Sequence, residues 1–197
     1  MLPAGSNDVI EQSDQQLIAA ALGGAVEAFD DLVRRYQDRL VHSLEHSVCS
    51  REDALDAAQR AFLQAWRQLS KFRGESSFYS WLYRIARNEV ISEGRRHRPA
   101  VSLEQLTESG VSELVDGSRS AVPGAGLELS EELASLRQAM AQIAQDFREV
   151  LVLREIDELS YEEIGEVLGI PTGTVRSRLS RARQELLERM QRLSAGE

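Results

Sequence analysis

Apolar positions recur three and four residues apart along most of the chain, the spacing of one face of an α-helix. Phe29, Leu32, Val33, Tyr36, Leu40 and Leu44 make one such stripe. Ala58, Phe62, Ala65, Trp66 and Leu69 make a second, and Phe78, Trp81, Leu82 and Ile85 a third. After a gap the pattern resumes with Phe147, Val150 and Leu151, then Tyr161, Ile164, Val167 and Leu168, then Val175, Leu179, Ala182 and Leu186. No stretch alternates convincingly with period two, so strands are not expected. The punctuation agrees. Asp14 is placed to cap a short first helix ending at Gly23 and Gly24, Ser50 with Glu52 and Asp53 opens a third helix, and Gly74 precedes a fourth.

The gap itself spans residues 99–129. It holds Pro99, Gly110, Gly117, Pro123, Gly124 and Gly126 and no aromatic residue. This composition predicts a linker with at most one helical turn, near Leu103–Leu106. The alternative is a long loop inside one domain, but structureless loops of this length are uncommon in compact domains. Ser130-Glu131-Glu132 then reads as a new helix N-terminus. The expected fold class is all-α: two small helical domains, residues 12–98 and 130–193, joined by a flexible linker.

Charge changes this picture more than composition does. The chain has 197 residues with a net charge of −9, which is unexpected for a nucleic-acid binder. The distribution is uneven: residues 71–98 carry net +4 and residues 171–197 net +3, while residues 1–70 and 99–170 carry −5 and −11. Two basic islands in an acidic chain are candidate phosphate-facing surfaces. No apolar run is long enough to cross a bilayer, and the start has no basic region followed by an apolar core, so a cytoplasmic protein is expected. The single cysteine, Cys49, excludes an internal disulfide and a multi-thiolate zinc site.

The second island has a specific form. Ser160 and Glu163 fit a capping box, Gly169 can take the left-handed turn that ends a helix, and Pro171 with Thr172 or Thr174 can open the next. Helix, glycine turn, helix is the signature of the helix-turn-helix. At 100° per residue Val175, Leu179, Ala182 and Leu186 share the buried side of the second helix. Arg176, Ser177, Ser180, Arg181 and Gln184 fall opposite, with Arg178 and Arg183 on the flanks. Arg176, Ser177 and Arg181 are base-edge candidates, since arginine pairs bidentately with guanine in the major groove. Arg178 and Arg183 are better placed for phosphates. The bland alternative is a solvated helix face. The first island interleaves cations with rings: Lys71-Phe72-Arg73-Gly74, then Phe78-Tyr79-Ser80-Trp81-Leu82-Tyr83-Arg84, Asn88, and Arg95-Arg96-His97-Arg98. Rings that stack bases beside cations that follow the backbone are what single-stranded nucleic acid requires. Phe78, Trp81, Leu82 and Ile85 read more simply as core, whereas Tyr83, Arg84, Arg87 and Asn88 lie off that stripe.

The runs Phe72–Asn88 and Leu153–Ile164, the latter with Gly173-Thr174-Val175-Arg176-Ser177-Arg178, resemble regions 2.3–2.4 and region 4 of the extracytoplasmic-function (group IV) RNA polymerase sigma factors, the envelope-stress branch in particular. The resemblance covers roughly Asp14 to Leu193. It implies a factor that binds RNA polymerase core and directs promoter-specific initiation, with no cofactor, metal or catalytic residue of its own. It implies that residues 12–98 hold the beta-prime clamp through Asp56, Gln59 and Phe62 and capture the −10 element through Leu69, Phe72, Arg73, Tyr83, Arg84 and Asn88. It implies that residues 130–193 meet the beta flap and read the −35 element through Arg176, Ser177, Ser180 and Arg181. Arg154, Tyr161, Glu162, Thr174, Arg178 and Arg183 are expected on the DNA backbone beside them; a helix N-terminus such as that at Tyr161 is itself a phosphate site. The implied partners are polymerase core, promoter DNA and an anti-sigma factor. Two positions depart from the pattern: Arg60 stands where an acid usually follows the clamp-helix glutamine, and Ser180 where a bulky residue is often found.

The linker supplies a physical check. Its 31 residues would average about 30 Å end to end as a coil and reach about 100 Å extended. Two duplex turns span roughly 70 Å. The linker is expected to thread along polymerase when bound and to be compact or disordered when free. Two rival readings differ in class. A stand-alone helix-turn-helix regulator explains the second island but not the first. An enzyme would need chemistry, and the sequence has no phosphate loop, nucleophile elbow or H-E-x-x-H. His42, His46 and Cys49 at i, i+4 and i+7 could hold zinc, or form an ordinary solvent face.

Overall fold

The computed structural model describes residues 12–96 and 125–195. The linker prediction, the Leu103–Leu106 turn and His97–Arg98 lie outside these residues. The described chain is helical with no strand. Its helices are α1 (Asp14–Leu22), α2 (Val26–Val48), α3 (Arg51–Gln68), α4 (Phe78–Arg96), α5 (Ala125–Ala141), α6 (Gln145–Leu151), α7 (Tyr161–Leu168) and α8 (Thr172–Ala195). A 3-10 turn, Leu69–Lys71, closes α3, and a π-helical turn, Val152–Ile156, continues α6. The second helical block begins at Ala125, before the Ser130 expected from its acids.

Local rules account for most boundaries. Ser13, rather than Asp14, caps α1: its hydroxyl accepts from the Gln16 N–H, and the Gln16 side chain accepts from the Ser13 N–H. Asp14 instead accepts from Arg35 and Tyr36, which ties α1 to α2. Burial and this carboxylate push the Tyr36 phenol up to about 12. Ser50 caps α3 through the Asp53 N–H, as expected. At the start of α8 the Pro171 carbonyl accepts from the Thr174 and Val175 N–H groups, so both threonines lie inside the first turn rather than at the cap.

α2, α3 and α4 form the first bundle around Leu32, Leu40, Leu44, Ala57, Ala61, Phe78 and Leu82. α5 to α8 form the second around Val150, Leu153, Ile164, Val175 and Leu179. The buried apolar side chains of both join in one cluster. α2 packs on α6 and the π-turn, and α4 packs on α7.

The join is polar at its centre. Arg39, Ser43 and Ser47 lie at i, i+4 and i+8 on α2; Tyr79, Tyr83 and Arg87 lie at the same spacing on α4. The two stripes meet rung by rung. The Tyr79 and Ser43 hydroxyl oxygens lie 3.1 Å apart, the Tyr83 and Ser47 hydroxyls share a bond (2.9 Å), and the Arg39 guanidinium covers the Tyr79 ring at 3.9 Å. The second bundle plugs into this ladder. Asp157 Oδ1 accepts from Tyr79 (2.6 Å), Ser43 (2.7 Å) and Arg39 Nε (3.3 Å), and its carbonyl accepts from Arg39 Nη2 (2.6 Å). Arg87 Nε donates to Glu149 Oε2 at 3.0 Å, and Arg148 Nε donates to the Ser47 carbonyl at 2.8 Å.

Glu158 follows Asp157 with φ 57, a left-handed conformation that costs an L-residue roughly 1–2 kcal/mol. Glycine pays no such cost but is freer when unfolded. Glu158→Gly is therefore expected to stabilise the protein by about 0.5–1 kcal/mol, raising the thermal midpoint by about 1–4 °C. A calorimetric scan of the two chains reads this directly.

Candidate nucleic-acid interface

The helix-turn-helix is built as its caps dictate. Ser160 accepts from the Glu163 N–H while the Glu163 carboxylate accepts from the Ser160 N–H, and Gly169 ends α7 at φ 68. The Ile170 N–H donates back to the Gly165 carbonyl, folding the turn against α7. A Cβ on Gly165 would stand 2.8 Å from the Ile170 carbonyl oxygen, so this approach requires glycine. α8 buries Val175, Leu179 and Ala182 and half-buries Leu186. Arg176, Ser177, Ser180 and Arg181 face solvent together, as the helical wheel predicts.

The flanking cations are engaged. Arg178 pairs with Asp146 at 2.7 Å and Arg183 with Glu155 at 2.6 Å. Glu155 also holds the Arg183 guanidinium above its ordinary pKa. Arg154 donates to the Leu159 carbonyl (2.8 Å), with its guanidinium 5.3 Å from the Tyr161 ring; that of Arg176 stands 5.8 Å from the same ring. Tyr161 is thus shared between two guanidinium groups at the start of α7. Glu162 is exposed beside it. Thr174 is half-buried and its carbonyl accepts from Ser177 Oγ. An open groove of about 530 Å³ runs between the start of α6 and this end of α8, lined by Asp146, Thr174, Ser177, Arg178 and Arg181 among others.

The predicted −10 residues divide into three groups. Phe72, Arg73 and Arg84 come together, with Lys71 and Trp81, around a cavity of about 380 Å³. Gly74, at φ 72, turns the loop that forms its rim. Phe72 packs on Trp81 and Phe78 at centroid distances of 5.2 and 5.9 Å. Asn88 is exposed one turn beyond Arg84. Leu69 and Tyr83 are buried, at 2% and 1% exposure. The expectation that Tyr83 is free is corrected: α4 is covered on a second side, along Tyr79, Tyr83 and Arg87. Arg87, also expected to be free, is paired with Glu149. Burial drives both Tyr79 and Tyr83 well above ordinary phenol values, and Asp157 adds to this. Burial likewise raises the Asp157 carboxyl.

The cavity also contains two residues that sequence reasoning missed. The spacing of Trp81 predicts core, and it is 8% exposed, yet it lines the wall. Glu166 reaches the cavity from α7, which no local pattern could reveal.

On α3, Asp56 and Gln59 are exposed. Phe62 is 9% exposed and belongs to the core, because the helix turns it toward the bundle. The apolar residues on the outer side are Leu55, Leu63 and Trp66. Arg60 pairs with Asp56 (3.3 Å) and with Glu93 of α4 (2.8 Å), so the departure at this position ties α3 to α4. His42 and His46 stack edge to face at 4.6 Å, and Cys49 donates to the His46 carbonyl. Among the described residues no group of three such side chains converges on a common point, and no helix is long and apolar enough to cross a membrane.

Two family descriptions match the chain: "Sigma-70 region 2" over residues 32–99 and "Sigma-70, region 4" over residues 133–186. RNA polymerase sigma-H factor of Pseudomonas aeruginosa is 37% identical over 192 residues, which is 93% of this chain and 96% of the relative. ECF RNA polymerase sigma-E factor of Escherichia coli K12 is 37% identical over 190 residues, 92% of this chain and 96% of the relative. Among solved structures, CnrH in complex with the cytosolic domain of CnrY is similar with a TM-score of 0.63 and 28% identity, covering 90% of this chain and 96% of that one. The sigma factor RpoE bound to the anti-sigma factor NepR from Bartonella quintana shares the fold, with a TM-score of 0.68 and 23% identity over 83% and 96% of the two chains.

Proposed function

The chain belongs to the sigma-70 family of RNA polymerase sigma factors, in its extracytoplasmic-function branch, and we propose that it directs promoter-specific initiation by gripping DNA at two places while seated on core polymerase. Residues 130–193 read the −35 element with Arg176, Ser177, Ser180 and Arg181, and α7 presents its N-terminus and Arg154 to the phosphates. Residues 12–98 receive an unpaired −10 base in the cavity lined by Phe72, Arg73, Trp81 and Arg84, where rings and cations converge. The outer side of α3, with Asp56 and Gln59 beside exposed Leu55, Leu63 and Trp66, seats on the beta-prime clamp. Residues 130–193 also meet the beta flap. The observation that carries this reading is one chain holding both an exposed arginine face, Arg176 with Arg181, on a helix-turn-helix and a basic, aromatic cavity.

The protein acts by binding rather than by catalysis, and it works in the cytoplasm, where polymerase and promoter are found. An anti-sigma factor is its further partner; the structural neighbour RpoE is in complex with one.

Run-off transcription with purified core polymerase, read by start-site sequencing, tests the assignment. Initiation that depends on the added chain, at promoters sharing −35 and −10 sequences, is expected. No initiation from any promoter, together with tight specific duplex binding by the chain alone, would overturn it in favour of a stand-alone regulator.

A further inference from the structure

A recognition helix seated in the major groove has a phosphate backbone along each of its flanks. On α8, Arg178 and Arg183 occupy opposite flanks, at about −60° and +80° from Val175. Arg176 and Arg181, on the face between them, form no ion pair among the described residues. Each flank arginine does form one, and each acid comes from outside the helix. Asp146, in the first turn of α6, meets Arg178 Nη2 at 2.7 Å. Glu155, in the π-turn, accepts from Arg183 through both Nη2 (2.6 Å) and Nε (3.1 Å).

Folding stability does not account for these pairs. The Asp146 side chain is 59% exposed, that of Glu155 50% and that of Arg183 54%, and exposed pairs of this kind add little to a fold. Their position accounts for more. Asp146 lines the open groove together with Thr174, Ser177 and Arg181, on the flank that one DNA strand passes when Arg181 is in the major groove. A carboxylate there takes the guanidinium that a phosphate would take, and it repels that phosphate as well. Glu155 does the same on the other flank. DNA gives up its counterions only where a protein cation replaces them, so an arginine already neutralised by its own acid contributes less to binding.

We propose that Asp146 and Glu155 are phosphate competitors: they hold Arg178 and Arg183 back from the DNA backbone, limit the sequence-independent part of −35 binding, and leave recognition to Arg176 and Arg181. This rests on α8 being the −35 reader. Phosphate contacts strengthen every site alike, so a factor with both flank arginines released would dwell longer on random DNA. It would also leave a promoter more slowly, since tighter binding is mostly slower release. The two acids therefore set how firmly the factor grips without altering which sequence it prefers.

The full-length chain on core polymerase tests this with two labelled duplexes. One is a promoter from a start site mapped by run-off transcription, and the other is the same promoter with its −35 element scrambled. Affinity is read by fluorescence anisotropy across a range of salt concentrations. Asp146→Asn and Glu155→Gln should each steepen the logarithmic salt dependence by up to about 0.9, the contribution of one phosphate, and tighten both duplexes about three- to eightfold near 0.1 M salt. The double variant should change the slope by roughly twice as much. Asp146→Glu and Glu155→Asp keep the charge and should bind as the starting protein does. Adding Arg178→Ala to Asp146→Asn should remove the gain. A structural brace gives the opposite sign, with weaker binding and a lower thermal midpoint in the amide variants. Unchanged or weaker binding in both amide variants, while the starting holoenzyme still prefers the intact −35 element, overturns the competitor role alone. Equal binding of the two duplexes by the starting holoenzyme overturns the −35 reading and the competitor role with it.

Discussion

Arg181→Ala should cut transcription from a promoter with an intact −35 element by about ten- to a hundredfold, corresponding to about 1–3 kcal/mol of lost base discrimination. Arg176→Ala should do the same at its own base pair. Both side chains are exposed on the face of α8 opposite Val175, Leu179 and Ala182. Neither is held by a carboxylate in the way that Arg178 is held by Asp146 and Arg183 by Glu155. The distinction predicts different phenotypes. Loss of a base reader relaxes sequence preference at one position; loss of a phosphate anchor weakens all promoters alike and lessens the salt dependence. Arg181→Lys separates the two, because lysine keeps the charge but not the planar pair of donors. Unaltered promoter preference in both alanine variants would show that this face of α8 does not enter the groove.

Gly165→Ala is expected to disable −35 recognition through the fold rather than the surface. The new methyl would meet the Ile170 carbonyl at 2.8 Å, and that oxygen belongs to the backbone of the turn. Alanine gains about 1 kcal/mol of helix propensity over glycine, but displacing a packed turn costs about 1–3 kcal/mol. It also swings α8, whose first residues follow that turn directly. Promoter-specific transcription should fall at least tenfold while α-helical circular dichroism changes little. A variant with normal −35 use would mean that the turn yields without moving α8.

Much of this was legible where the rules are local. Ser160, Glu163 and Gly169 announce the helix-turn-helix because caps depend on neighbours three or four residues away. The arginine face followed from helical geometry alone. What the sequence does not show is a second buried side on one helix. α4 has two, so Tyr83 and Arg87 looked available when they are enclosed by Ser47 and Glu149. Phe62, implied at a partner surface by the family pattern, lies in the core at 9% exposure, where its apolar spacing also places it. The acid partners of Arg178 and Arg183 do not follow from helical geometry, because Asp146 and Glu155 lie outside the helix. The repeated spacing of Arg39, Ser43 and Ser47, matched by Tyr79, Tyr83 and Arg87, was present in the sequence. A polar stripe, however, reads as solvent-facing until a second helix is known to match it.

The π-turn at Val152–Ile156 acts as a phase shifter. Eight residues separate Glu149 from Asp157, and in a regular α-helix they would point about 80° apart. Helix bonded i to i+5 rotates only about 80° per residue, so this stretch brings the two carboxylates to within about 20° of each other. The Asp157 N–H donating to the Val152 carbonyl is the bond that marks the wider turn. One inserted residue thus aligns two acids on a single rail facing α4. Were 152–156 to relax to regular α-helix with all five residues kept, Asp157 would swing to about 80° from Glu149 and out of register, even with both side chains retained.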